Sequence, residues 1–150
     1  MTATTHDTIV FERNFACPVA RLYRAFVDPV ARARWGIPGP ETVILYDEED
    51  FRVGGTDRSR CGARHDPRFL VEVTYLDIVP ESRIVFSETV STDGKRLSAA
   101  LETVEMGSAG DESNLKITMQ IAAFDNADMA EGVRIGFGAA LDNLARELGG

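Results

Sequence analysis

The sequence predicts an α+β fold in which a curved antiparallel sheet wraps around one long C-terminal helix, with two short helices following the first strand. Three observations carry this expectation. Strand-like stretches follow one another closely between residues 42 and 124, joined by short turns. Two short helix-like stretches precede them, and an apolar stripe at helical spacing ends the chain. A sheet with one apolar face needs a cover, and the terminal stripe is the only long one available.

Taken in order, Ile9, Phe11, Arg13 and Phe15 alternate with Val10, Glu12 and Asn14, as in a strand with one more apolar face. Pro18 then permits a helix start. Val19, Leu22, Tyr23 and Phe26 recur at helical spacing, and Asp28-Pro29 breaks the chain and restarts it as a second helix ending near Trp35-Gly36. After Ile37-Pro38-Gly39-Pro40, strands are expected over 42–46, 56–61, 69–79, 83–91, 97–106 and 115–124. Gly54-Gly55, Asp66-Pro67, Pro80-Glu81-Ser82, Asp93-Gly94 and the stretch 107–113 serve as the connections. Such short links predict a meander. The last strand places Leu115, Ile117, Met119 and Ile121 on one face and Lys116, Thr118 and Gln120 on the other. From Asn126, expected as the N-cap, Met129, Val133, Phe137, Leu141, Leu144 and Leu148 form the terminal stripe.

The chain has 150 residues, 44% of them apolar, which suits one domain over 1–150 with a core that needs no disulfide or metal staple. The longest apolar run, Ile135 to Leu141, is far too short to span a membrane, and Met1 to Thr8 lacks the features of a secretory signal, so a cytoplasmic protein is expected. Cys17 and Cys61 are far apart in sequence and have no Cys-x-x-Cys spacing, so reduced thiols are expected. Sixteen basic against twenty-four acidic residues give a net charge of −8, which disfavours nucleic acid as a partner. Locally, the stretch from Phe51 to Arg68 holds five arginines against two aspartates, a net +3.

Glu12-Arg13-Asn14-Phe15-Ala16-Cys17-Pro18, Leu22-Tyr23-Arg24-Ala25-Phe26, Asp28-Pro29 and Ala33-Arg34-Trp35 together resemble the opening of the SRPBCC (START-like, helix-grip) superfamily. The resemblance is to the branch related to the activator of the heat-shock-protein-90 ATPase. It continues through Phe51-Arg52-Val53-Gly54-Gly55, the run from Ile78 to Phe86, Gly136-Phe137 and Leu141-Asp142-Asn143-Leu144. The resemblance implies a helix-grip fold with a cavity between sheet and C-terminal helix, used across the superfamily for small, mostly hydrophobic molecules. It leaves open a carrier, a cyclase-type enzyme or a domain that contacts a chaperone. A homodimer is also open. Where the family often carries paired tryptophans this chain has Trp35 followed by Gly36, and Phe137 stands where a tryptophan is common.

The expected partner is therefore a small hydrophobic or amphiphilic molecule. The expected lining is Trp35 at the rim, Arg58, Arg60, Phe86, Met119, Val133, Gly136, Phe137 and Leu141. His6 and His65 do not assemble a nucleophilic triad, and Cys61, His65 and Asp66 do not complete a zinc site, so no metal is expected. Gly54-Gly55 lacks a phosphate-loop continuation, and no cofactor is expected. Strand 56–61 alternates Thr, Arg, Arg with Asp, Ser, Cys; it either gives the cavity a polar wall or is a wetted edge. Glu72 and Glu88 interrupt apolar strands; each either pairs with an arginine inside the cavity as a polar site for a ligand, or is raised by burial as a candidate general acid or base, or faces solvent. Gly132 and Gly136 mark either close contact with the sheet or open volume.

Overall fold

The structure, a computed structural model, describes residues 3–126 and 128–149. Its elements are β1 (Thr4–Phe15), α1 (Val19–Val27), α2 (Pro29–Trp35), β2 (Thr42–Glu48), β3 (Thr56–Ala63), β4 (Asp66–Val79), β5 (Arg83–Thr92), β6 (Lys95–Ala109), β7 (Glu112–Phe124) and α3 (Met129–Glu147). The seven strands form one antiparallel sheet in the order β1-β7-β6-β5-β4-β3-β2. From β2 to β7 the chain is a meander, as its short turns dictate. The two short helices carry it from one edge strand, β1, to the other, β2.

Alternation decides which face is buried. Ile9, Phe11 and Phe15 of β1, Val104 and Met106 of β6, and Leu115, Ile117, Met119 and Ile121 of β7 share the inner face, and all are buried. The register aligns residues in rows across that face. One runs Ile9, Met119, Glu102, Phe86, Tyr75; the next runs Asp7, Ile121, Ala100, Glu88, Val73, Asp57.

Leu22, Ala25 and Phe26 bury one side of α1, which ends at Asp28. That residue also starts α2, its Oδ1 accepting from Val30 N–H at 3.0 Å ahead of Pro29 in the first turn, the two devices that favour a helix start. Trp35 closes α2 inside the core. Its Nε1–H donates to the Ala25 carbonyl at 2.9 Å, and its ring meets Phe26 and Phe137 edge-on. Across the inner face, α3 contacts β1, β7 and α2. It does so through Ala140, Leu141 and Leu144, fully buried, and through Phe137 packed edge-on against Phe11 at 5.4 Å.

Several strands run longer than expected, and three boundary differences are informative. The N-cap of α3 is Asp128, not Asn126, because the chain after β7 is tied back to the start of β1. Asp125, at φ 56°, exchanges hydrogen bonds with the Ala3 backbone through its own N–H and its carboxylate, each 2.8 Å. The stretch 107–113, expected as a loop, is mostly ladder, with Gly107, Ser108 and Ala109 paired to Asn114, Ser113 and Glu112. Likewise Asp66 belongs to β4 and pairs with Ala63, which leaves Arg64-His65 as the turn. Polar composition marks where strands leave the core, and backbone pairing continues beyond that point.

Glycine in α3 separates the two readings left open above. A side chain at Gly132 or Gly136 would meet nothing within 4 Å, whereas one at Gly138 would reach Phe11 at 3.9 Å. Open volume, not close contact, surrounds Gly136. Gly136→Ala should accordingly stabilise the protein by about 1 kcal/mol, the ordinary helix-propensity difference. Leu141→Ala, at a site with no exposure, should cost about 2–5 kcal/mol. Denaturant titration of the two variants checks both, and destabilisation by Gly136→Ala would show that this part of α3 is packed.

Candidate functional site

Because α3 lies over β1 and β7, the inner face of β3 to β6 is incompletely covered. Val71, Val73, Phe86, Val90 and Ala100 point to this side and remain partly exposed. Among them stand polar groups from four strands: Asp57, Ser59 and Cys61 of β3, Tyr75 of β4, Glu88 of β5, and Ser98 and Glu102 of β6. An apolar concave surface with a few convergent polar groups is the usual form of a small-molecule site. A second hollow, about 200 Å³, lies among the three helices. Its charged lining is Arg21, Arg24, Arg34, Asp28 and Glu147, with Arg34 paired to the Glu147 carboxylate and Arg21 donating to the Glu147 carbonyl, and it holds none of these groups.

Glu88 and Glu102 are diagonal neighbours, since Glu88 pairs with Ala100 and Glu102 with Phe86. Glu102 is only 6% exposed. Burial raises its pKa well above the ordinary carboxylate range, and the adjacent Glu88 raises it further. Burial raises Glu88 as well. Two carboxyls set diagonally on one buried face do not both ionise readily, and Glu102 is the one whose pKa is raised the more strongly.

At the β2–β4 side of the same face, Arg32 reaches over the sheet from α2. Its Nη1 donates to Asp57 Oδ2 at 2.9 Å and to the Tyr75 hydroxyl at 2.7 Å, while that hydroxyl donates to Asp57 Oδ2 at 2.5 Å. The Asp50 N–H occupies the other Asp57 oxygen at 2.9 Å. The Arg32 guanidinium also lies over the Tyr46 ring, 5.0 Å from its centroid. Burial pushes the Tyr46 and Tyr75 phenols up and holds them neutral. The Cys61 thiol is pushed up to about 11 by burial and by Glu88, so it remains a thiol at neutral pH and is no nucleophile.

The residues named from sequence separate into three groups. Phe86, Met119, Val133, Gly136 and Phe137 lie on the inner face or on the helix that borders it. Trp35, expected at the rim, is 4% exposed within an aromatic cluster, and Leu141, expected in the lining, is wholly buried, because both fill the space where α2 and α3 meet the sheet. Arg58 and Arg60 point away altogether. The alternation of β3 turns Asp57, Ser59 and Cys61 inward, so these arginines sit on the outer face, where Arg58 pairs with Glu72 and Arg60 with Asp47. Glu72 is therefore a solvated partner of Arg58, while Glu88 faces inward. His65 is exposed in the turn after β3, on neither face with Cys61. Among the described residues no three His, Cys, Asp or Glu side chains converge to hold a metal.

Three residues of the site escaped the reading of the sequence. Glu102 alternates with Ala100, Val104 and Met106, the same signal that marked Glu88. Arg32 stands three residues before Trp35, on the helix face that turns to the sheet. Tyr75 lies in a strand whose alternation is reset by a bulge at Leu76, which hid its direction.

The carboxyl pair makes the stability of the protein pH-dependent. In the unfolded chain Glu102 ionises near its ordinary 4.5, whereas the folded protein keeps the proton. Stability therefore falls as pH rises above 4.5, until the raised folded-state value is passed. Glu102→Gln keeps a donor for Glu88 and cannot ionise. From pH 4.5 to 8 its stability should gain on that of the parent by at least about 1 kcal/mol. Parallel stability curves over that range would show that Glu102 is not the group responsible.

The fold has counterparts in other chains. The Mll3558 protein of Rhizobium loti has 35% identity and a TM-score of 0.85, with 97% of this chain and 99% of that one covered. An uncharacterized protein from Rhizobium leguminosarum has 34% identity and a TM-score of 0.85, with 99% and 97% covered. The CV1439 protein of Chromobacterium violaceum has 28% identity and a TM-score of 0.77, with 95% and 97% covered. No curated protein matches this chain. Residues 16–149 match the family described as Activator of Hsp90 ATPase homolog 1-like protein, and with the helix-grip sheet and terminal helix in place, the chain belongs to that family.

Proposed function

We propose that the protein binds one small, largely apolar molecule between the inner face of β3–β6 and the N-terminal half of α3. The observation that carries this reading is the pairing of incomplete cover with buried polar groups. Val73, Phe86, Val90 and Ala100 offer an apolar floor that α3 leaves open, and the Glu88–Glu102 pair lies within it. A face needed only for packing would be filled more stably by aliphatic side chains than by two carboxyls, whose burial costs stability. Open space beside Gly136 supports the same volume from the helix side. The superfamily resemblance, with its use of this cavity for hydrophobic molecules, agrees. Attraction of acids by Arg58 and Arg60 forms no part of the reading, because both are paired on the outer face. Two free cysteines suit a reducing compartment, and we place the protein in the cytoplasm on that ground.

The carboxyl pair favours a second reading, in which the bound molecule is also transformed. A carboxyl that keeps its proton above the usual range can act as general acid, and its partner can accept the proton back. Loss of turnover with retained binding in Glu102→Gln would identify this case.

Nile red, a neutral apolar dye, tests the binding reading. A saturable one-to-one complex is expected, weakened about tenfold or more by Ala100→Trp, which fills the floor, and by Gly136→Leu, which fills the space beside the helix. Melting curves accompany both variants. Absence of saturable binding, or full affinity in both variants, would overturn the proposal.

A further inference from the structure

Arg32 is incompletely used by the protein. Both of its side-chain hydrogen bonds leave from Nη1, to Asp57 and to Tyr75. Nε and Nη2 are buried and find no acceptor among the described residues. Stacking on Tyr46 engages the face of the guanidinium plane and leaves its N–H edge free. Buried donors without a partner are uncommon, because each forfeits its hydration without return. These two belong to one edge of the guanidinium, the edge that makes paired hydrogen bonds to oxygen.

The position of the guanidinium relates it to the pocket. Arg32 is held by Asp57, which shares a row with Val73 and Glu88, and by Tyr75, which shares a row with Phe86 and Glu102. It thus stands at the β2–β4 side of the face whose β5–β6 side holds the carboxyl pair. We propose, building on the pocket reading above, that Arg32 anchors the bound molecule. Its Nε–H and Nη2–H donate to an uncharged carbonyl oxygen, that of a ketone, ester or amide on an apolar body.

Charge decides against an anion in that place. The Arg32 charge is already balanced by Asp57, which is 2% exposed. The Glu88 and Glu102 carboxyls stand on the same face and supply no cation to it, and the whole chain carries −8. A carboxylate or phosphate would add buried charge without a free cation to meet it, whereas a carbonyl oxygen has two lone pairs for the two N–H groups and adds none. An ammonium group has no lone pair to accept with and would leave both donors unmet.

Three six-carbon probes of equal length, hexanamide, hexanoate and hexylammonium, distinguish the possibilities, with the Arg32 Nε–H resonance followed by NMR in the wild-type protein. Arg32→Lys assigns that resonance and keeps the charge without the fork. Hexanamide should bind about tenfold tighter than either ion, the difference a hydrogen bond to a charged donor supplies, and should shift the Nε–H signal. In Arg32→Lys its advantage should disappear. Should that variant not fold, the titrations of the wild-type protein decide alone. Equal or tighter binding of hexanoate would overturn the assignment of an uncharged carbonyl. Binding of hexanamide with the Nε–H signal unmoved would show that water satisfies Arg32, and would overturn the anchor while the pocket stands. If none of the three probes binds while Nile red does, this inference fails and the pocket reading stands; if Nile red also fails to bind, both fall.

Discussion

Coverage of a wide sheet by a narrow helix is the constraint from which the rest of this structure follows. A helix with side chains is about 10–12 Å across and strands are spaced at about 4.8 Å, so one helix covers roughly two strands. The sheet has seven. With α3 seated on β1 and β7, cover for the remainder must come from α1, α2 and the curvature of the sheet itself. The arrangement fills the β1–β7 side with Phe11, Leu141 and Leu144, and leaves the β3–β6 side with partly exposed apolar residues. A pocket in this fold is thus a geometric remainder, and its contents depend on which residues the strands turn inward there.

What they turn inward is unusually polar, and each group is held differently. Asp57 accepts from Arg32, Tyr75 and the Asp50 backbone, a full set of partners that ties α2 to β3 and β4. Breaking such a buried pair is far more costly than never having built it. Glu102 has only another acid, and meets that condition by keeping a proton. The first network is a structural joint with one edge of its arginine left over; the second is a strained pair that nothing in the packing requires.

Much of this was legible in the sequence, and the failures share a cause. Element order, the meander and the covering helix followed from period and turn chemistry, because these are local. The inner face of β7 followed from strict alternation of Leu115, Ile117, Met119 and Ile121. Direction was illegible where alternation is ambiguous. In β3 both faces are polar, so the choice between Arg58 and Asp57 depends on pairing with β4, where Val71 and Val73 face inward. In β4 the bulge at Leu76 shifts the phase between Tyr75 and Asp77. Arg32 was missed for another reason: its partners are 25 and 43 residues away, and no short-range pattern announces them.

The outer face explains why net charge is a poor guide to the site. Arg58 with Glu72, Arg60 with Asp47, Arg68 with Asp66 and Arg83 with Asp77 are all solvated pairs, and most of the local +3 is cancelled within it or by its neighbours. Such pairs contribute little to stability and, at physiological salt, little field beyond about 8 Å. The inner face is separated from them by the sheet, and its electrostatics are set by a few buried groups in a medium that screens poorly. On the proposed reading, a ligand meeting this face is selected by whether its polar atoms match Arg32 and the carboxyl pair. On that reading the unmatched donors of Arg32 and the raised carboxyl of Glu102, not the acidity of the protein as a whole, decide which molecule stays.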